Sequence, residues 1–175
     1  MKHSLIIIFV LLLATVACEQ KKKDKIVSKY KGPLIEVINV NAFYSDSGKA
    51  KINIKAPVQQ EYENGDRTFP KGLRLDFFDQ QLRNNGRLVA DSAFFSKKSK
   101  LWTARGNVVV TNLLEQKNLK SDILHWNPTL KIFYTEAPVK ITSPKDDLKG
   151  KGIKAHQDLA WYKMGKPKGI ITVKK

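Results

Sequence analysis

Two histidines, His125 and His156, stand 31 residues apart in matching contexts, SDILHW (121–126) and GIKAHQ (152–157). Equal positions in two copies of a unit can set two imidazoles side by side, the start of a zinc site, but the same position one unit earlier is Phe94, so no third ligand completes the set. Asp91 and Asp122 share a second such position, followed by Ile153. Paired carboxylates do acid–base work only beside a partner that moves the proton, and none is spaced for it, so both are expected to hydrogen-bond at strand ends. The glycines of GKGIK (150–154) make no phosphate loop, because Gly-x4-Gly-Lys-Ser/Thr occurs nowhere. No catalytic residue, metal ligand or cofactor is assigned, and the chain is not expected to be an enzyme.

The single cysteine carries a different chemistry. Cys18 lies in LLLATVACEQKKKDK (11–25), where hydrocarbon gives way to a lysine block. Ahead of it come a short basic start (Met1, Lys2, His3), an unbroken apolar run from Leu5 to Leu13, and the shrinking side chains Ala14 to Ala17, the order of a secretory signal. Leu5 to Ala17 is 13 residues, whereas a spanning helix needs about 20, so cleavage is expected rather than a span. Small residues before a cysteine resemble a bacterial lipobox, in which the thiol is acylated, the chain is cut to make cysteine its first residue, and the amine is acylated in turn. Stable anchoring takes two chains, since one, at about 0.8 kcal/mol per buried methylene, holds marginally. Residues 1–17 are therefore read as signal peptide and Cys18 as the lipid anchor; a plain signal peptide and an uncleaved anchor are the alternatives. One cysteine allows no internal disulfide.

Removing residues 1–17 leaves 158 residues, one domain's worth, and lowers the net charge from +16 to +15. For an exported chain that excess points to anionic partners, of which nucleic acid is the least available and phosphate-bearing lipid headgroups the most abundant. Residues 18–33, with KKKDK and closing on Pro33, read as a basic linker ahead of a domain at 34–175.

That domain is patterned with period two. Ala50, Ile52, Ile54 and Ala56 alternate with Lys51, Asn53 and Lys55, and LRLDF and VKIT repeat the habit. No helical stripe of useful length appears, so the domain is all-β. Turns are expected at SDSG (45–48), ENGD (63–66), NNG (84–86), KKSK (97–100), NPT (127–129), SPKDD (143–147) and KMGKPKG (163–169). An offset of 31 lays ADSAFF (90–95) on SDILHW and GIKAHQ, and GNVVVT (106–111) on APVKIT (137–142) and KGIITV (168–173). Each unit is strand, turn, strand, and one hairpin cannot bury its own apolar face, so the units must stack and share a core.

The stretches LWTARGNVVVT, LKSDILHWNPTLKIFYTEAPVKIT and GKGIKAHQDLAWYKMGKPKGIITV resemble the LptC family, the inner-membrane-attached member of the lipopolysaccharide export bridge, over about Ile35 to Lys175. The resemblance implies an OstA-like β-jellyroll of two facing curved antiparallel sheets behind the N-terminal signal or lipid anchor. It also implies lipopolysaccharide as cargo, with inner-membrane ABC transporter subunits and a soluble OstA-like bridge protein as partners. The location implied is the periplasm, anchored to the inner membrane. Familiar members carry a transmembrane helix where this chain has Cys18, which leaves the outer membrane open as the residence.

A glycolipid's acyl chains expose dozens of methylenes, and at about 0.8 kcal/mol each they need an apolar path. On parity Phe95, Leu101, Val108, Val110, Leu124, Trp126, Ile132, Val139 and Ile141 are expected inward, facing lipid, while Phe94, His125, Phe133 and Lys140 face away. The same pattern also suits a structural or adhesive envelope lipoprotein with a closed core. IITVKK (170–175) is expected as an exposed edge strand that a partner's strand extends.

Overall fold

A computed structural model of the chain describes residues 30–171. The signal peptide, Cys18, most of the basic linker and the last four residues lie outside the described residues. Twelve strands and no helix occur among the described residues: β1 (Ile35–Asp46), β2 (Lys49–Glu61), β3 (Arg67–Phe69), β4 (Leu73–Phe78), β5 (Asn84–Ala90), β6 (Ser92–Ser96), β7 (Leu101–Asn112), β8 (Lys117–Asn127), β9 (Ile132–Thr142), β10 (Asp146–His156), β11 (Tyr162–Met164) and β12 (Lys168–Ile171). Every pairing is antiparallel, and all strands join one hydrogen-bonded sheet, a fold consistent with a β-jellyroll.

Long strands let that sheet turn back on itself. In β2, Ile52–Lys55 pair with β4 whereas Gln60 and Glu61 pair with β3; in β7, Leu101–Arg105 pair with β6 and Val109–Asn112 with β5. The pairings therefore close a circuit through β7, β5, β4, β2, β3 and β6, from which β8, β9 and β10 continue as a ribbon. In β7, β8, β9 and β10 an irregularity lies between the two halves of the strand. Arg105 pairs with Ile123 but Val108 with Ser121, so β7 carries one residue more than β8 there, with Gly106 and Asn107 at φ +73° and +45°. A Cβ on Gly106 would meet Asp91 Oδ2 at 2.6 Å on a left-handed backbone, so a side chain there would be strained and would displace Asp91. Asp91 accepts the Asn107 side-chain amide at 2.7 Å and donates its own N–H to the Gly106 carbonyl at 3.0 Å, which staples the corner. Gly152, at φ +76°, marks the matching irregularity in β10.

The 31-residue offset relates real elements: its first members fall on β6, β8 and β10, its second on β7, β9 and β12. Its closing residues do not share a fate, since Val108 and Val139 are buried while Ile170 is exposed beside Asp147 on the far face.

NNG does not form a turn; Asn84, Asn85 and Gly86 belong to β5. The turn comes earlier, at Asp79–Arg83, where Asp79 Oδ1 accepts the N–H groups of Gln81 and Arg83. A second turn, Leu113–Gln116, has neither glycine nor proline, and Asn112 Oδ1 holds it by accepting from Leu114 and Glu115. Asn and Asp at strand ends are the signal that finds both.

Candidate functional site

The space between the two halves is the candidate site, and cross-strand rows build it. In one half Phe95, Trp102, Trp126, Phe133, Ala155 and Tyr162 stand opposite one another in turn, from β6 to β11. In the other, Ile54, Leu75, Leu88, Val110, Leu119, Ile141 and Leu148 form an aliphatic row from β2 to β10. Phe77, from the second half, lies 5.2 Å from Trp126 and 6.2 Å from Phe133 between ring centroids, both edge-on, although β4 pairs with neither β8 nor β9. The halves thus face each other across an apolar interior.

Of the residues expected inward, Val108, Val110, Leu124, Trp126, Val139 and Ile141 are buried there together, and Phe95 packs half-buried against Trp102. Leu101 and Ile132 are not with them. Both line a cleft of about 590 Å³ on the side of the sheet away from the core, with Tyr134, Lys154 and Lys163. Their inward neighbours are Trp102 and Phe133, and Phe133, expected to face away, is 0 % exposed. The reason is where parity changes. A one-residue irregularity must shift alternation in one of two paired strands. Reading Leu101 with Val108, and Ile132 with Val139, puts the shift in β7 and β9; the structure puts it in β8, between Leu119 and Leu124, and in β10, between Leu148 and Ile153.

The interior is closed along most of its length. Val139 is 4 % exposed and Ile141 0 %. One end is crossed by residues 157–161, the β10–β11 connection, which ties to both halves. Trp126 Nε1 donates to Gln157 Oε1 at 3.2 Å, Asn112 Nδ2 to the Asp158 carbonyl at 2.6 Å, and Lys117 Nζ to the Leu159 carbonyl at 3.1 Å. Leu159 is fully buried in the core despite a left-handed φ of +58°. His156 Nδ1 and Asp158 Oδ1, 2.6 Å apart, brace this strap. Burial raises the Asp158 carboxyl pKa, but the hydrogen bond from His156 and the backbone N–H of Ala160 outweigh it and hold the pKa below the ordinary carboxylate value.

The interior opens at β1. Glu36, Ile38, Val40, Ala42 and Tyr44 stand opposite inward residues of β2, yet Ile38 is 66 % and Tyr44 59 % exposed. No strand covers the outer edge of β1 among the described residues. The signal that marks this in sequence is INVNAFY, an uncharged run without proline or glycine in a chain rich in lysine.

The histidines lie apart. β9 separates β8 from β10; His125 stands opposite Tyr134 and stacks on it at 5.1 Å, while His156 stands opposite Ile132. Burial, then the charge of Arg105, lowers the His125 pKa below its ordinary value, which keeps the ring neutral at pH 7 in its 3.0 Å hydrogen bond with Thr103. Among the described residues no three His, Cys, Asp or Glu side chains gather as metal ligands, and no helix is long and apolar enough to cross a membrane.

No curated protein matches the chain. A family model described as lipopolysaccharide-assembly, LptC-related, matches residues 4–160, which takes in the strands of the closed circuit, the ribbon of β8 to β10 and all but the last residue of the strap. The chain therefore belongs to the LptC-related family and is a component of lipopolysaccharide transport in the cell envelope.

Proposed function

We propose that this chain receives lipopolysaccharide from inner-membrane ABC transporter subunits and passes its acyl chains through the interior between the two half-sheets to a soluble OstA-like bridge protein. The observation that carries the reading is the uncovered inward face of β1, where Ile38 and Tyr44 stay exposed above the half-buried Val40, Ile52 and Ile54. Hydrocarbon enters there at no cost in broken core contacts. Deeper residues, Val108, Val110, Leu124, Trp126, Val139 and Ile141, meet it when the halves separate along that edge. Phe95 stands at the margin of the same path, and Phe133 and Trp102 take the places first read for Ile132 and Leu101. Cys18, acylated after removal of residues 1–17, holds the domain to the inner membrane through the basic linker.

Photo-crosslinking in living cells tests the path. A photoreactive residue at 38, 44 or 126 should crosslink to lipopolysaccharide, and one at 120 or 154, on the opposite face, should not. No adduct at any inward position would return the chain to the alternative of a structural envelope lipoprotein with a closed core. Mass spectrometry of the mature N-terminus tests the anchor: Cys18→Ala should accumulate unprocessed precursor, and unchanged processing would refute acylation.

A further inference from the structure

The outward face of the aliphatic half carries a row of six cations that the register assembles from six separate strands. Lys55 of β2 stands opposite Arg74 of β4, followed in turn by Val89, Val109, Lys120, Lys140, Lys149 and Lys168 on β5, β7, β8, β9, β10 and β12. Four lysines in succession, Lys120 to Lys168, are direct cross-strand neighbours, spaced at about 4.8 Å per strand and spanning about 14 Å. One carboxylate is paired with them, Asp147, at 3.0 Å from Lys140 Nζ; Lys120, Lys149 and Lys168 are exposed and have no ion pair among the described residues. Like charges directly opposite one another destabilise a sheet. Guarding an edge against stray pairing would explain Lys168 but not Lys120, Lys140 and Lys149, which sit on strands paired on both sides.

We infer that this row is a docking surface for an anionic phospholipid bilayer. The inference rests on the proposed reading only for the chain's place beside a membrane. Charge complementarity names an anion, and the residue type narrows it. A lysine ammonium is a mobile point charge on a flexible stem, suited to a diffuse, shifting array of headgroups, whereas fixed bidentate recognition of one phosphate or carboxylate calls for arginine. Lysine is depleted at protein–protein interfaces, which disfavours a protein partner. The row also faces away from Val110, Leu119 and Ile141, so cargo hydrocarbon in the interior does not reach it. Docking by this face would set the strand edges, rather than the basic face, toward other envelope components.

The test uses the full chain in vesicles of phosphatidylcholine with or without phosphatidylglycerol, free of lipopolysaccharide, with lysine acetylation read by peptide mass spectrometry. Each cation near an anionic surface contributes about fivefold to the docked population. Lys120, Lys140, Lys149 and Lys168 should therefore acetylate several-fold more slowly in the anionic vesicles, and salt near 0.5 M should remove the difference. Lys97, Lys98 and Lys100, in the β6–β7 turn, should react alike in both. Lys149→Glu should abolish protection of the other three, and Lys149→Gln should weaken it, with circular dichroism confirming that each variant is folded. Equal rates in the two vesicle types, or protection spread evenly over all lysines, would overturn the inference. So would protection produced by adding lipopolysaccharide to phosphatidylcholine vesicles alone, which would make the row a seat for cargo phosphates. Interior crosslinking and this footprint fail independently, because the vesicles hold no cargo.

Discussion

At the scale of single residues, Asp76 is a carboxylate whose side chain is only 4 % exposed on the outward face of β4. Arg74 Nε and Arg87 Nε each donate to it at 2.8 Å, and Asn84 adds a bond at 3.2 Å. Burial raises the Asp76 pKa, but these donors, Arg87 foremost, overcome it and hold the carboxyl below its ordinary 3.8. A depressed folded-state pKa stabilises the fold above the unfolded value and ceases to do so as pH falls through the folded one. Asp76→Asn should cost about 1–2 kcal/mol at pH 7, discounted because both arginines are a third or more exposed and stay hydrated. The gap between variant and parent in urea melts should close as pH drops below 3.8. A gap that persists at acid pH would mean that packing rather than charge accounts for it.

At the scale of elements, the strap at 157–161 is short yet supplies a core residue. Leu159 pairs full burial with a left-handed backbone that leucine rarely adopts, and the bonds to Trp126, Asn112 and Lys117 hold it in place. Leu159→Ala should lower stability by about 2–4 kcal/mol, as deletion of a buried leucine's methyl groups does. Hydrogen exchange should quicken first at Leu159 and Gln157, whose N–H groups bond the His156 and Lys131 carbonyls. A loss well under 1 kcal/mol would show that the strap lies on the core without belonging to it.

At the scale of the whole domain, unpaired sheet edges are the natural points of assembly. Among the described residues β12 pairs with β10 on one side only, through Asp146–Lys149, and β1 leaves twelve residues open along its outer edge. Both can accept a partner's strand, and β1 is long and carries neither lysine nor proline to guard against it. Deleting Ile170 to Lys175 should abolish capture of the soluble bridge protein in a pull-down while the anchored chain still copurifies with the transporter. Capture retained at parental level would exclude the β12 edge and point to β1.

Period-two alternation and the absence of a helical stripe determined that the domain is all-β, and the offset of 31 determined which segments form comparable strands, though not that β12 keeps the facing of β7 and β9, because strand pattern follows from local side-chain spacing. Most inward positions were legible for the same reason: Val108, Val110, Leu124, Trp126, Val139 and Ile141 lie on strand halves that alternate without interruption. Leu101 and Ile132 were not, since their face depends on which member of each pair absorbs the extra residue at Gly106–Asn107 and near Gly152, and that is settled by pairing between strands. The meeting of Phe77 with Trp126, the strap that returns Leu159 to the core, and the row from Lys55 to Lys168 likewise join residues far apart in the chain. Only register and closure bring them together, and no local pattern carries that information.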